Sequence, residues 1–581
     1  MTYRSTLLAA TALASLPAIA HADPIIFSPV PFAGSDDAKR SILTSDTVTI
    51  NGQPIQIAYH VLARSGDVID GVQFSRLTDQ NGNPMLAPDG SEFGSVDADF
   101  TSLLQRGNRL FSVTHFESRP GAMYVSEVSQ GDQGKLSYIS TKPIDFSALG
   151  GLWVPCAGSV SPWGTHLGSE EYPADARAHQ DAATLEEVDD YNKPMVAYFG
   201  VDPAAMTLDG YRGAYNPYKY GFVLEVDVDD EGNATPAKHY AMGRVAVEMA
   251  EVMPDRKTAY VSDDGTNVGL FMFRADAEGD LSVGQLYAAK WVQTSGEGAG
   301  AADIEWIDLG HADNATIAAA IDAGTTFSDI FETADITGDG TCAEGFLPSN
   351  AEGRSECLKV KPGMEVVASR LETRRYASML GATTEFRKME GIAYNPDHGS
   401  IYLAMSAIEK GMTDGDEVDL GGRNDIRLGK NSCGAVYELP LDERFVATSM
   451  TGVVAGKPME YAADSEFAGN ECDVDGIANP DNITYIPSAQ SLIIGEDTGS
   501  GHQNDVIWAM NVESENLTRI MSTPYGSETT SVDWYPDIGG HGYLMAVVQH
   551  PYGESDEDKA VTPEDTRAYI GYIGPFPALS N

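Results

Sequence analysis

One spacing recurs four times along the chain. Cys156 stands six residues before Pro162, Glu248 six before Pro254, Glu390 six before Pro396 and Asp481 six before Pro487. After each proline the sequence turns and enters a short run rich in β-branched and aromatic residues. Three of these runs close on paired carboxylates: Glu170-Glu171, Asp263-Asp264 and Glu496-Asp497. Looser copies lead from Glu528 through Pro536 to Gln549-His550-Pro551, and from Asp99 to His115-Phe116-Glu117. A unit that repeats at a fixed period must bury its apolar face against copies of itself. Because these units are short strands bounded by Gly, Pro, Asp and Asn, the expected architecture is radial: an all-β, six-bladed β-propeller whose innermost strands line a central channel.

Two segments break the pattern. Residues 314–323 (NATIAAAIDA) and 365–380 (EVVASRLETRRYASML) have helical composition and spacing. With the loop between Cys342 and Cys357, they form a partly helical insertion between the third and fourth units, about residues 296–386. All-β propellers exceed the usual domain length, so residues 23–581 are expected to be a single domain.

The first 22 residues read differently. Arg4 precedes the apolar run 7–20, and Ala20-His21-Ala22 is a small-residue cleavage site, the pattern of a signal peptide rather than of a membrane span. The mature chain is expected in the periplasm or outside the cell. Its 37 Lys and Arg against 86 Asp and Glu give a net charge of −49, which argues against nucleic acid or an anionic membrane as partner and fits both solubility and cation binding. There are five cysteines, and an odd count in an exported chain leaves one over. Cys342 and Cys357 flank one polar loop and are natural partners; Cys433 and Cys472 could form a second bridge; Cys156 is then the unpaired thiol.

A single acidic residue at the end of a strand is ordinarily a solvated turn former. Four ligand-type side chains at one shared offset, one of them the unpaired Cys156, are another matter. Equivalent positions converge on the propeller axis, and carboxylates packed there are tolerable only around bound cations. The candidate metal ligands are Cys156, Glu170, Glu171, Glu248, Asp264, Glu390, Asp481, Glu496, Asp497 and Glu528. Hard carboxylates suit calcium, and a thiolate argues for a transition metal beside it. A multimetal cluster of this kind suits hydrolysis of a phosphate ester, which also needs a fixed cation on the phosphoryl oxygens. Arg387 and Lys388, just before Glu390, are the catalytic candidates. Alternate residues of an extended strand share a face, so Lys388 should point with Glu390 into the channel and Arg387 away, unless a bulge intervenes.

The stretch Cys156-Ala157-Gly158-Ser159-Val160-Ser161-Pro162-Trp163-Gly164-Thr165, followed by Leu167 and Glu170-Glu171, resembles the cysteine block of the PhoX alkaline phosphatases. Gly243-Arg244 leading to Glu248, Met389-Glu390-Gly391, Pro480-Asp481-Asn482, and Glu528 with Gln549-His550-Pro551 resemble that family's other blocks in order. The resemblance implies a six-bladed propeller phosphatase with an iron–calcium cluster, ligated here by Cys156, Glu171, Glu248, Glu390, Asp481 and Glu528. Lys388 stands where the family carries arginine. The expected function is metal-dependent hydrolysis of small-molecule phosphate monoesters by a monomer. A calcium-dependent lactonase or diesterase on the same fold, or a non-enzymatic calcium-stabilised surface protein, are the alternatives.

Overall fold

The computed structural model describes residues 25–87, 90–337, 341–419, 423–487, 489–554 and 557–579; the expected signal peptide lies outside them. Strands dominate, and they fall into antiparallel runs of four. The first run is Ala98–Arg106, Arg109–Phe116, Ala122–Gln130 and Leu136–Pro143. The second is Ser159–Val160, His166–Gly168, Leu224–Val228 and Ala234–Lys238. The third begins at Val247–Val252, the fourth at Met389–Asn395, the fifth at Pro480–Ile486 and the sixth at Glu528–Ile538. In the sixth, the outermost strand is Ala58–Arg64, from near the start of the chain, hydrogen-bonded to Tyr569–Pro577. That pairing ties the two ends of the chain together and covers a sheet edge that would otherwise be open.

Neighbouring runs share apolar layers all the way round. Val113 and Val125 of the first pack with Leu224 and Val226 of the second. Val223 meets Val247 and Phe271, Tyr260 and Met272 meet Ile401 and Leu403, and Tyr402 meets Ile483 and Trp508. Ile493 and Ile507 then meet Leu544 and Val548, and Met545 and Tyr572 return to Leu103 and Leu110. The ring so closed is a β-propeller, and the first strand of each run faces its axis.

Between 296 and 386 the chain forms the long strand Ala301–Asp313, which pairs with both Asp280–Ser295 and Ser449–Ala455 and so joins the third and fourth runs into one nine-stranded sheet. Helices Asn314–Asp322, Glu365–Leu371 and Thr373–Leu380 and a small three-stranded sheet follow. A second excursion, not foreseen from the sequence, leaves the second run after His166–Gly168. It carries helices Ala176–Asp181 and Leu208–Ala214 and the 3-10 segment Asp190–Phe199 before the chain returns at Leu224. Cys342–Cys357 and Cys433–Cys472 are disulfides, and Cys156 is free and buried.

Candidate metal centre

The inner strands of four runs share one irregularity. Two residues on the inner strand face one on its neighbour between Ala98 and Thr101, Val247 and Ala250, Met389 and Ile392, and Pro480 and Ile483. Such a bulge leaves a residue out of the ladder and re-aims its side chain. The residues placed there are Asp99, Glu248, Glu390 and Asp481. Two residues before each, a carbonyl accepts the N–H of the residue that ends the neighbouring strand: Asp97 from Glu117 (2.8 Å), Ala246 from Asp264 (3.0 Å), Lys388 from Ser406 (3.1 Å) and Asn479 from Asp497 (3.1 Å). Val154 accepts from Glu171 in the same way (2.9 Å), which puts Cys156 at the equivalent station of the second run. Two rings result. One holds Asp99, Cys156, Glu248, Glu390 and Asp481; the other holds Glu117, Glu171, Asp264, Ser406 and Asp497.

All of these residues except Asp99 and Ser406 line one cavity of about 220 Å³. The Cys156 Sγ lies 3.4 Å from Asp99 Oδ2 and 3.3 Å from Glu248 Oε2. Ligand-type atoms cluster within 4.8 Å of one another in three overlapping groups: Asp99, Glu117 and Cys156; Cys156, Glu171 and Glu248; Glu248, Glu390 and Asp481. Glu528 lines the same cavity, with its carboxylate 3.3 Å from His550 Nε2.

Electrostatically this is an unfavourable place for so many acids. Burial, reinforced by the neighbouring carboxylates, holds Asp99, Glu171, Glu248, Glu390 and Glu528 well above the usual carboxylate range. Burial pushes Asp481 and Glu117 up to about 7, and burial with Asp99 and Glu248 beside it pushes the Cys156 thiol up. For Asp264 burial also opposes the charge, but Lys388 and the Tyr172 hydroxyl outweigh it and the carboxyl is lowered. Asp99 Oδ1 and Glu248 Oε1 are buried without any hydrogen-bond partner. Orphaned acceptors among converging carboxylates and a thiol are the donor set that cations fit, because a bound cation both satisfies the oxygens and reverses the like-charge penalty.

The paired carboxylates do not act as pairs. Successive strand residues point to opposite sides, and the first member of each pair is turned into the protein. Glu170 accepts Lys238 Nζ (2.7 Å) and the N–H groups of Gly221 (3.1 Å) and Trp153 (3.3 Å). Glu496 accepts Trp508 Nε1 (2.7 Å), Ala478 N (2.8 Å), Val506 N (3.0 Å) and bonds His502 Nδ1 (2.9 Å). Asp263 accepts Arg374 Nε (2.8 Å). Glu170 and Glu496 are thus turned away from the cavity onto other partners, a correction to the expectation that both members of each pair face it; Glu171, Asp264 and Asp497 are the members that line the cavity.

Lys388 and Arg387 separate sharply. The Lys388 Nζ lies 3.4 Å from Glu390 Oε1 and 3.3 Å from Asp497 Oδ2, within the cavity lining. Arg387 turns to the Gly265 carbonyl (3.1 Å) and Glu409 (3.8 Å). Simple strand alternation is not the cause. Lys388 sits between two strands with φ of +46°, and this left-handed kink followed by the bulge at Glu390 sets its direction. Asp97, Glu117, Arg119, Tyr172, His550 and Glu554 also line the cavity, and Asp99 abuts Cys156; none of the seven was among the candidate ligands, although Asp99, Glu117 and His550 stand in the looser copies of the repeat. For Asp99 and Glu117 the looser first copy of the repeat was the available signal. Tyr172 directly follows Glu171, while Arg119 and Glu554 carry no mark in the sequence.

A family model for alkaline phosphatase PhoX matches residues 130–552. Among solved structures the chain is similar to Pseudomonas fluorescens PhoX in complex with vanadate, a transition-state analogue, with 18% identity, 95% of this chain and 98% of that chain covered and a TM-score of 0.59. A putative 6-phosphogluconolactonase from Bacteroides uniformis (9% identity, 87% and 98% covered) reaches a TM-score of only 0.31, too low to argue from. No curated protein matches the chain. The match extends over most of the sequence, from the first run to the end of the sixth run's second strand, and so the chain belongs to the PhoX family of alkaline phosphatases.

Proposed function

We propose that the chain hydrolyses phosphate monoesters in the propeller channel, at a cluster of cations held by Cys156, Asp99, Glu171, Glu248, Glu390, Asp481 and Glu528, with Glu117, Asp264 and Asp497 around them. The observation that carries the reading is the convergence of five register-equivalent positions, four carboxylates and one thiol, on one cluster, four of them lining the cavity that also holds the Lys388 ammonium and the fifth, Asp99, against the Cys156 sulfur. The oxygen-rich side of the cluster suits calcium and the Cys156 side a transition metal such as iron. When bound, such cations would polarise the phosphoryl group and stabilise the leaving oxygen. Cys156 would serve as thiolate, with its backbone fixed by Ser169 Oγ, which accepts the Cys156 N–H (3.1 Å) and donates to the Ala157 carbonyl (2.8 Å). Lys388, steadied between Glu390 and Asp497, would direct its charge to the equatorial phosphoryl oxygens as negative charge builds there. A cavity of about 220 Å³ lined mostly by acids suits a small terminal phosphate better than a polyanion. The protein whose fold it shares binds vanadate, a transition-state analogue, which supports phosphoryl transfer. Residues 1–22 would direct export, and the cluster would be loaded in the periplasm or outside the cell.

The test is metal analysis of the purified full chain together with turnover of p-nitrophenyl phosphate before and after chelation. Bound calcium and iron with turnover that chelation abolishes and metal restores is the expected result. Metal-loaded protein that turns over no phosphomonoester refutes the proposal.

A further inference from the structure

Two side chains with permanent positive charge line the cavity among the described residues, and they are held in different ways. Lys388 is committed to Glu390 and Asp497. Arg119 makes no direct contact with an acid, although its charge favours the ionised forms of Asp97 and Glu117 nearby. It lies three residues past the strand Arg109–Phe116, beside Asp97 and Glu117, yet among the described residues it makes no ion pair, and its Nε is buried without a hydrogen-bond partner. Its guanidinium carbon sits 3.8 Å from the centroid of the Tyr191 ring. Tyr191 belongs to the unforeseen excursion of the second run and packs edge-on against Trp153 and Tyr172, with centroids 6.1 and 6.2 Å away. In a cavity this acidic, a free guanidinium would ordinarily fold onto a carboxylate. Held instead on an aromatic face, it keeps its planar edge of N–H donors available and aligned at little entropic cost.

We propose that Arg119, shelved on Tyr191, is a substrate-binding residue that takes two non-bridging oxygens of the phosphate in a bidentate contact. The inference rests on the phosphatase reading and adds to it a residue from outside the repeated blocks. It also gives the second-run excursion a task, since that segment supplies the shelf. Arg119 compensates for what Lys388 lacks: an ammonium is a point charge that holds phosphate without fixing its orientation, whereas the guanidinium fork fixes both.

The experiment is calorimetric titration of inorganic phosphate into the metal-loaded full chain, with metal content measured on each sample. Arg119→Met should weaken phosphate binding roughly 10- to 100-fold, the scale of hydrogen bonds to a charged group, with metal content unchanged. Arg119→Lys should recover part of that loss, and Tyr191→Leu, which leaves the charge and removes the shelf, should cost about 3-fold, a modest cation–π contribution. Wild-type protein that binds phosphate while Arg119→Met binds it equally well overturns the role of Arg119 and leaves the phosphatase reading standing. Loss of metal in Arg119→Met overturns it too, since the arginine would then be a counter-charge for the acids. Wild-type protein that binds metal but no phosphate overturns the phosphatase reading and this proposal with it.

Discussion

Replacing Lys238 by Met tests the division of labour within the carboxylate pairs. Lys238 Nζ and Glu170 Oε1 are 2.7 Å apart with both side chains wholly buried, and Lys238 also donates to the Lys219 carbonyl (2.8 Å). Burial pushes Glu170 up and Lys238 down even with each partner in place, so the pair is held together against its own desolvation. Removing the lysine leaves a buried carboxylate with only two N–H donors. Breaking such a pair costs about 3–5 kcal/mol, whereas replacing both members is close to neutral. At an unfolding entropy of ~2.1 cal/mol/K per residue over ~550 ordered residues, that is a fall of about 3–4 °C in the midpoint. The deficit should shrink toward pH 5, because Glu170 without its lysine titrates higher still and escapes the penalty by taking up a proton. Thermal unfolding of Lys238→Met, of Glu170→Gln/Lys238→Met and of Glu171→Gln, each metal-free and metal-loaded, gives the comparison. The single lysine variant should melt low in both states and keep its metal, and the double variant should recover. Glu171→Gln should lose metal affinity while its metal-free midpoint holds or rises. Lys238→Met protein that keeps its metal-free midpoint and loses metal would show that Glu170 is a ligand and that the pairs are not divided by side.

Chelation should invert the pH dependence of stability. Asp481 rises from 3.8 and Glu117 from 4.5 to about 7 in the folded chain, so their contribution is complete below about pH 4 and is lost as pH climbs through 7, on the order of 4 kcal/mol from Asp481 alone; chelated protein should melt lower at pH 8.5 than at pH 5.5, and added metal should restore most at the higher pH because its ligands are then deprotonated. An unshifted midpoint, with metal loss verified, counts against the cluster. Lys388→Met should lower kcat/KM for p-nitrophenyl phosphate by roughly 100-fold, the scale of one electrostatic stabiliser, with metal content intact, while Arg387→Met, which faces Gly265 and Glu409, should change it little.

Much of this was legible because a propeller writes its axis into the chain as a period. The spacing from ligand to proline was informative for a physical reason. Glu248, Glu390 and Asp481 sit at the bulge at one end of an inner strand, and Pro254, Pro396 and Pro487 lie in the turn at the other end. Six residues at about 3.3 Å each is ~20 Å, about the length of an inner strand. Pro396 and Pro487 in fact line a separate cavity with Glu251 and Asp533, to whose wall none of the candidate ligands contributes. Asp99 headed only a loose copy and was left out of the candidate ligands because its strand turns on Gly107, with φ of +57°, in place of a proline. What the period could not show was side. Glu170 and Glu171 are alike as letters, and which one faces the axis depends on the donors waiting behind it, Lys238 from the strand Ala234–Lys238 and the backbone at Gly221. Arg119 and Tyr191 come from connections between strands, which follow no period at all.

The bulge explains how one position can carry a ligand-type side chain in four runs, and the matching Glu171 N–H to Val154 contact sets Cys156 at the same station in a fifth. An acid on a regular inner strand would point either across the channel, toward its equivalents, or into the apolar layer between runs. Leaving the ladder at a bulge moves it to the channel mouth, where the strand-end N–H of Glu117, Glu171, Asp264, Ser406 or Asp497 pins the backbone two residues earlier. The backbone geometry is thus fixed by hydrogen bonds that involve no side chain, and the station accepts different residues: aspartate at 99, cysteine at 156, glutamate at 248 and 390, aspartate at 481. Chemical variety at fixed geometry lets one scaffold offer hard and soft donors side by side. The fourth run extends the same logic, since its strand end is Ser406, whose hydroxyl donates to Glu390 Oε1 at 2.8 Å, and its kinked residue is Lys388. At that run the ring of acids is interrupted by one neutral donor and one cation, the one place where the local charge would favour rather than repel an anion such as the phosphate of the proposed substrate.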